Sequence, residues 1–169
     1  TRGERIFVER IDISGNTTTI DRVIRNQFKT IEGDPFNPRN IREASARINA
    51  LRFFEPISVN TKAGSDDSKI VIDVKVEERP TGSLTFGASY GQSTGFGGNI
   101  QLAQRNLLGR GQSLSVSLDT SANSRTYSIS FGEPHFLSND LSFDIDVFNT
   151  ITNNQFSAYD TNSYGIRPS

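Results

Sequence analysis

Residues 81–91 read T-G-S-L-T-F-G-A-S-Y-G. Leu84, Phe86, Ala88 and Tyr90 alternate with Ser83, Thr85, Gly87 and Ser89, so one face is apolar and the other small and polar. A period of two belongs to a strand, and this one has a different solvent on each face. Whether the apolar face meets a protein core or lipid decides the fold.

The same period repeats downstream. It is visible at 96–105, where Ile100 and Leu102 separate from Asn99, Gln101 and Gln104. It returns in Leu114, Val116 and Leu118, in Tyr127, Ile129 and Phe131, and in Leu141, Phe143, Ile145 and Val147; residues 164–167 begin a sixth strand. No helical segment intervenes, so the pattern predicts an antiparallel meander. Its strands are long enough, when tilted, to cross a bilayer's hydrocarbon. A soluble sandwich or lipocalin-like barrel would show the same alternation. Lipid is favoured because the polar face is mostly Ser, Gly, Asn, Gln and Asp, as suits a wet lumen. Tyr90, Phe96, Phe136 and Phe148 also stand toward strand ends, as interfacial girdles do. Five or six strands cannot close, since small membrane barrels need about eight.

Upstream the chemistry changes. Residues 1–80 hold 14 Lys/Arg and 13 Asp/Glu, against 4 and 6 in residues 81–169, while Gly rises from 4 to 10 and Ser from 5 to 15. This places a domain boundary near Pro80, giving 1–79 and 80–169. The net charge of −1 argues against a nucleic-acid partner. There is no Cys for disulfide or thiolate chemistry, no apolar run of membrane-helix length and no signal peptide. The abrupt start at Thr1-Arg2-Gly3 and a last segment that reads as a strand suggest a piece of a larger protein.

In the first part, residues 6–13 read as a strand with Ile11 and Ile13 inward. Thr18 or Thr19 caps a helix carrying Ile20, Val23, Ile24, Gln27 and Phe28 on its apolar face, through about residue 30. Asn37-Pro38 starts a second helix, buried through Ile41, Ala44, Ile48 and Leu51. Strands at 56–62 and 69–77 follow, joined by the hairpin A-G-S-D-D at 63–67. The order β-α-α-β-β predicts a small α+β domain with two helices on one face of a three-stranded sheet.

Little here suits catalysis or a metal. His135 sits beside Pro134 in a polar turn. Asp66-Asp67 lie in a hairpin, and Glu77-Glu78 alternate along a strand as solvated carboxylates. Asp144 and Asp146 share a strand face that suits a hydrated lumen better than a cation. Gly95-Phe96-Gly97-Gly98 lacks the Lys and helix of a phosphate loop. The expectation is neither an enzyme nor a cofactor or metal binder.

Several of these segments resemble the barrel-assembly insertases of the bacterial outer membrane (BamA-type) and their wider superfamily of barrels with polypeptide transport-associated (POTRA) domains. The carriers are I-D-I-S-G-N at 11–16, E-G-D-P-F-N at 32–37, I-N-A-L-R-F-F-E-P-I-S-V at 48–59, V-K-V-E-E-R-P-T-G-S-L-T-F-G-A-S-Y-G at 74–91 and N-L-L-G-R-G-Q at 106–112. The resemblance implies a membrane-proximal POTRA domain in the periplasm and the first strands of an outer-membrane barrel. It implies insertion of client β-barrel proteins through a lateral gate formed by Gly82, Ser83, Leu84, Thr85, Phe86, Gly87, Ala88, Ser89 and Tyr90. Periplasmic lipoproteins of an assembly complex and outer-membrane lipid are the other implied partners. The polar helix faces, with Arg22, Arg25, Gln27, Lys29, Arg39 and Arg42, are candidates for docking the former. Residues 91–95, 121–125 and 150–162 would be outer loops, and 106–112 and 133–140 periplasmic turns. Two rivals stand beside this reading: a protein-translocating pore of the same superfamily, and a soluble periplasmic binding protein.

Overall fold

The structure, a computed structural model, describes residues 5–92, 95–136, 141–153 and 160–169. The expected loops at 91–95, 133–140 and 150–162 therefore lie partly outside the described residues. The chain divides into two compact units, Thr1–Pro80 and Thr81–Ser169.

The first unit runs β1 (Phe7–Ser14), α1 (Asp21–Arg25), α2 (Pro38–Leu51), β2 (Val59–Ala63) and β3 (Lys69–Lys75). β3 is central, parallel to β1 and antiparallel to β2. Val23, Ile24 and Phe28 join Ile41, Ala44 and Ile48 of α2 and Ile72, Val74 and Val76 in one apolar core. Both helical segments thus cover one face of the sheet, as the periodicity predicts. α2 begins where expected: the Asn37 side chain accepts the Arg39 N–H at 3.0 Å, and Pro38 opens the helix. On the other face Asp73 is buried, and its carboxylate receives Lys62 Nζ at 2.8 Å.

In β1, Ile11 is buried and Ile13, partly buried, packs against the same core as expected, and Val8, three residues before Ile11, is buried with them. A register shift between Val8 and Arg10 changes which parity faces inward. α1 is one turn rather than a helix to residue 30. Beyond it the backbone bonds tighten to Gln27 N–H with Ile24 (3.0 Å) and Phe28 N–H with Arg25 (2.9 Å), which ends the α-helix and still delivers Phe28 to the core. Ile20, expected inward, is the exposed N-cap, and neither Thr18 nor Thr19 caps.

The second unit is a meander of six antiparallel strands in chain order: β4 (Gly82–Gly91), β5 (Gly95–Leu107), β6 (Gln112–Thr120), β7 (Ser124–Glu133), β8 (Phe143–Thr152) and β9 (Thr161–Pro168). Among the described residues the sheet does not close on itself. Its register aligns the sequence pattern into rows. Leu84, Leu102, Val116, Ile129, Val147 and Ile166 stand opposite one another across all six strands. Ser83, Ala103, Ser115, Ser130, Asp146 and Arg167 form a row of the other parity. The apolar row is 40% to 68% exposed, and the buried core cluster contains no residue of this sheet. A soluble sandwich would bury that row against a second layer. Here the apolar face is left for another solvent.

Candidate functional site

β4 is the edge from which the sheet is built. Its inner side pairs with β5 over ten positions, from Gly82 opposite Gln104 to Gly91 opposite Gly95. The Arg105 N–H donates to the Thr81 carbonyl at 3.2 Å, which makes 81/105 a hydrogen-bonded pair. Antiparallel pairing alternates, so Ser83, Thr85, Gly87 and Ser89 also turn their backbone groups to β5. The N–H and C=O of Gly82, Leu84, Phe86, Ala88 and Tyr90 then point to the outer edge, which has no partner among the described residues. The same five residues carry the apolar face. The outer edge of β9 is likewise unpaired among the described residues, and in hydrocarbon either edge needs a strand beside it, because no other hydrogen-bond partner is offered there.

Small residues set the packing along this edge. A Cβ at Gly87 would meet Asn99 Oδ1 at 2.5 Å, and one at Gly97 would meet Ser89 Oγ at 2.8 Å. The polar side chains of each strand lie over glycines of the other. Farther round, Ser117 and Ser128 share a hydroxyl bond of 2.7 Å, and Thr126 and Thr150 one of 3.1 Å. Beside them Asn99, Asp119, Thr126 and Ser89 help line a polar recess of about 250 Å³.

Other sequence-predicted residues fall elsewhere. Arg22, Lys29 and Arg42 are exposed. Arg39 is exposed and bonded to Glu43 at 3.0 Å, and Arg25 spends its guanidinium on Glu32 and the Ile11 carbonyl. Gln27 is buried and bonds back to the Val23 carbonyl at 3.2 Å, so it forms no part of a docking face. Tyr90 and Phe96 form an exposed ring pair 4.8 Å apart, and Phe136 pairs with Phe143 at 5.1 Å. Phe148 departs from the girdle expectation. It lies in the row of Ser128 and Gly165, on the polar face, where a Cβ on Gly165 would meet its ring at 2.6 Å. The ring fills the space that Gly165 leaves, with Arg167 5.4 Å from its centroid. Arg125, expected in a loop, belongs to β7. Among the described residues no three His, Cys, Asp or Glu side chains converge as a metal site.

Glu78 is the residue that sequence reasoning missed. Instead of being solvated, its carboxylate accepts Thr17 Oγ1 at 2.8 Å, the Thr18 N–H at 3.0 Å and the Thr19 N–H at 2.6 Å. Partial burial pushes its carboxyl upward, but these hydrogen bonds outweigh that and bring it down to about 2. The T-T-T run at 17–19, with N–H groups ahead of a helix that need acceptors, was the available signal; its partner lies about 60 residues on and has no local signature.

Comparison with known proteins agrees with this geometry. The family model described as surface antigen variable number repeat, POTRA, matches residues 6–79, and the Omp85 superfamily domain matches residues 106–169. The outer membrane protein assembly factor BamA of Neorickettsia risticii is 35% identical over 124 residues, 73% of this chain and 17% of that protein. The crystal structure of BamA from Haemophilus ducreyi lacking POTRA domains 1–3 superposes with a TM-score of 0.87 at 28% identity, over 99% of this chain and 32% of that one. CdiB from Escherichia coli shares the fold at a TM-score of 0.63 and 19% identity, over 98% of this chain and 32% of that one. The chain spans 17% to 24% of the length of its BamA relatives. Its setting is the outer membrane, with the first unit in the periplasm. The chain belongs to the POTRA-plus-barrel superfamily as a BamA-type member, carrying the membrane-proximal POTRA domain and the first strands of the barrel.

Proposed function

We propose that the protein to which this chain belongs folds and inserts client β-barrel proteins into the outer membrane, and that β4 is its gate strand. The observation that carries this reading is the outer edge of β4, whose backbone groups at Gly82, Leu84, Phe86, Ala88 and Tyr90 face away from β5. A client strand adding there satisfies its own backbone and that of β4 together, which is β-augmentation within the membrane. Gly and Ser at 82, 83, 87 and 89 weaken side-chain specification of the pairing, so strands of many sequences are accepted. The activity is noncovalent and uses no cofactor. On the periplasmic unit, Arg22, Lys29, Arg39 and Arg42 remain exposed and form the face for a lipoprotein of an assembly complex.

The test is reconstitution of the full-length protein in liposomes with an unfolded client barrel. Faster acquisition of a protease-resistant client than in empty liposomes is expected. Equal rates, with the client instead passing into the lumen, would point to the translocating pore.

A further inference from the structure

The apolar face of the sheet is almost free of charge. Among the paired positions that alternate onto it in β4 to β9, only Arg125 and Glu133 carry one, and both belong to β7. They bracket Tyr127, Ile129 and Phe131 on the same parity. Eight residues at about 3.4 Å each separate them by about 27 Å along the strand. At a tilt of about 40° this is about 21 Å across the bilayer, near the height of a barrel's apolar band. The two charges mark its rims.

The rims are treated differently. Glu133 accepts Gln112 Nε2 at 2.6 Å and the His135 N–H at 3.2 Å. Arg125 is exposed, and among the described residues its guanidinium has no hydrogen-bond or ion-pair partner. Its register neighbours, Thr120 and Ile151, offer no counter-charge. At the same end of the sheet stands the exposed Tyr90–Phe96 ring pair, the kind of aromatic that marks a headgroup boundary. A guanidinium at the rim of hydrocarbon is costly unless its stem carries the head outward to an opposite charge. Its planar fork matches a phosphate.

We propose that Arg125 binds the phosphate of an anionic lipid headgroup, in the leaflet at the β6–β7 turn. The pairing fixes β7 at a set depth and recruits anionic lipid to this side of the sheet. The proposal rests on the membrane-spanning reading of β4 to β9.

The test uses the full-length protein in nanodiscs of phosphatidylcholine with a minority of phosphatidylglycerol, with a fluorophore on an Ala122→Cys variant in the β6–β7 turn. Headgroup-spin-labelled phosphatidylglycerol should quench it more than the phosphatidylcholine analogue. Arg125→Gln should lower that preference about fivefold, the effect of one basic residue at an anionic surface, while Arg125→Lys keeps most of it. An unchanged preference in Arg125→Gln overturns the proposal. A second fluorophore, on Ile129→Cys, reports acyl-chain-labelled lipid. Its quenching with no headgroup preference overturns the headgroup site alone, and its absence overturns the spanning reading as well.

Discussion

The Thr19 N–H donates to Glu78 Oε1 at 2.6 Å, tying the turn before α1 to the last segment of the first unit, three residues before Thr81. With the Thr17 hydroxyl and Thr18 N–H on the same carboxylate, this single side chain gathers three donors of the turn that precedes the helix.

A pH dependence follows from it. The Glu78 pKa is depressed in the folded state to about 2, so its contribution is fully present above the unfolded value near 4.5 and is lost as pH falls through the window from about 5 to 2. Linkage with solvent screening allowed for gives on the order of 2 kcal/mol. Glu78→Gln should flatten the acid limb of the unfolding curve of this unit, followed by hydrogen exchange at residues 17–24. An acid limb unaltered by the substitution would show that Glu78 does not carry it.

Phe86 and Thr85 separate the two edges of β4. The Phe86 N–H faces outward, so Phe86→Pro removes a donor offered to an incoming strand and spares the ladder to β5. Client insertion should slow about tenfold, for a penalty near 1.4 kcal/mol, with little loss of protein in the membrane. Thr85→Pro removes a bond to β5 and should instead lower the amount of folded protein. Equal behaviour of the two would contradict the assigned alternation.

Gly87→Val should impair client insertion more than Ser115→Val. The new side chain must displace Asn99, whose Oδ1 lies 2.5 Å from the Cβ position at residue 87, and it stiffens the gate strand. Ser115 sits in β6, paired on both sides. The check is the rate of client assembly at matched expression; similar rates would count against a special role for β4.

The fully buried Ile48 of α2 gives a measure of the periplasmic core. Ile48→Ala should cost about 2–5 kcal/mol, seen as faster exchange of the Ile41 to Leu51 amides. Exchange confined to the helix ends would mean that the core does not depend on this side chain.

How much of this was legible depended on how local the signal was. Asn37-Pro38 announced α2 because cap and first-turn chemistry lie in adjacent residues. The strands of the meander were legible because a period of two survives from Leu84 to Ile166, while their rows needed the register. Val8 escaped because a bulge changes parity without changing composition. The Glu78 contact and the seat of Phe148 on Gly165 join residues distant in sequence, and only pairing reveals them. For the candidate site, alternation showed which residues share a face, while the direction of each backbone group needed the register with β5.

The most direct test of the central claim is disulfide crosslinking from single cysteines at Ser83, Thr85, Gly87 and Ser89 in the full-length protein, against cysteines along a client strand. These four residues give their backbone bonds to β5, so toward a client they occupy the closer, non-hydrogen-bonded positions where a disulfide forms most readily. The expected result is a ladder of crosslinks that moves in register, two client residues for each step of two along β4. Crosslinks only to the protein's own last strand, with client found in the lumen, would contradict the insertase account.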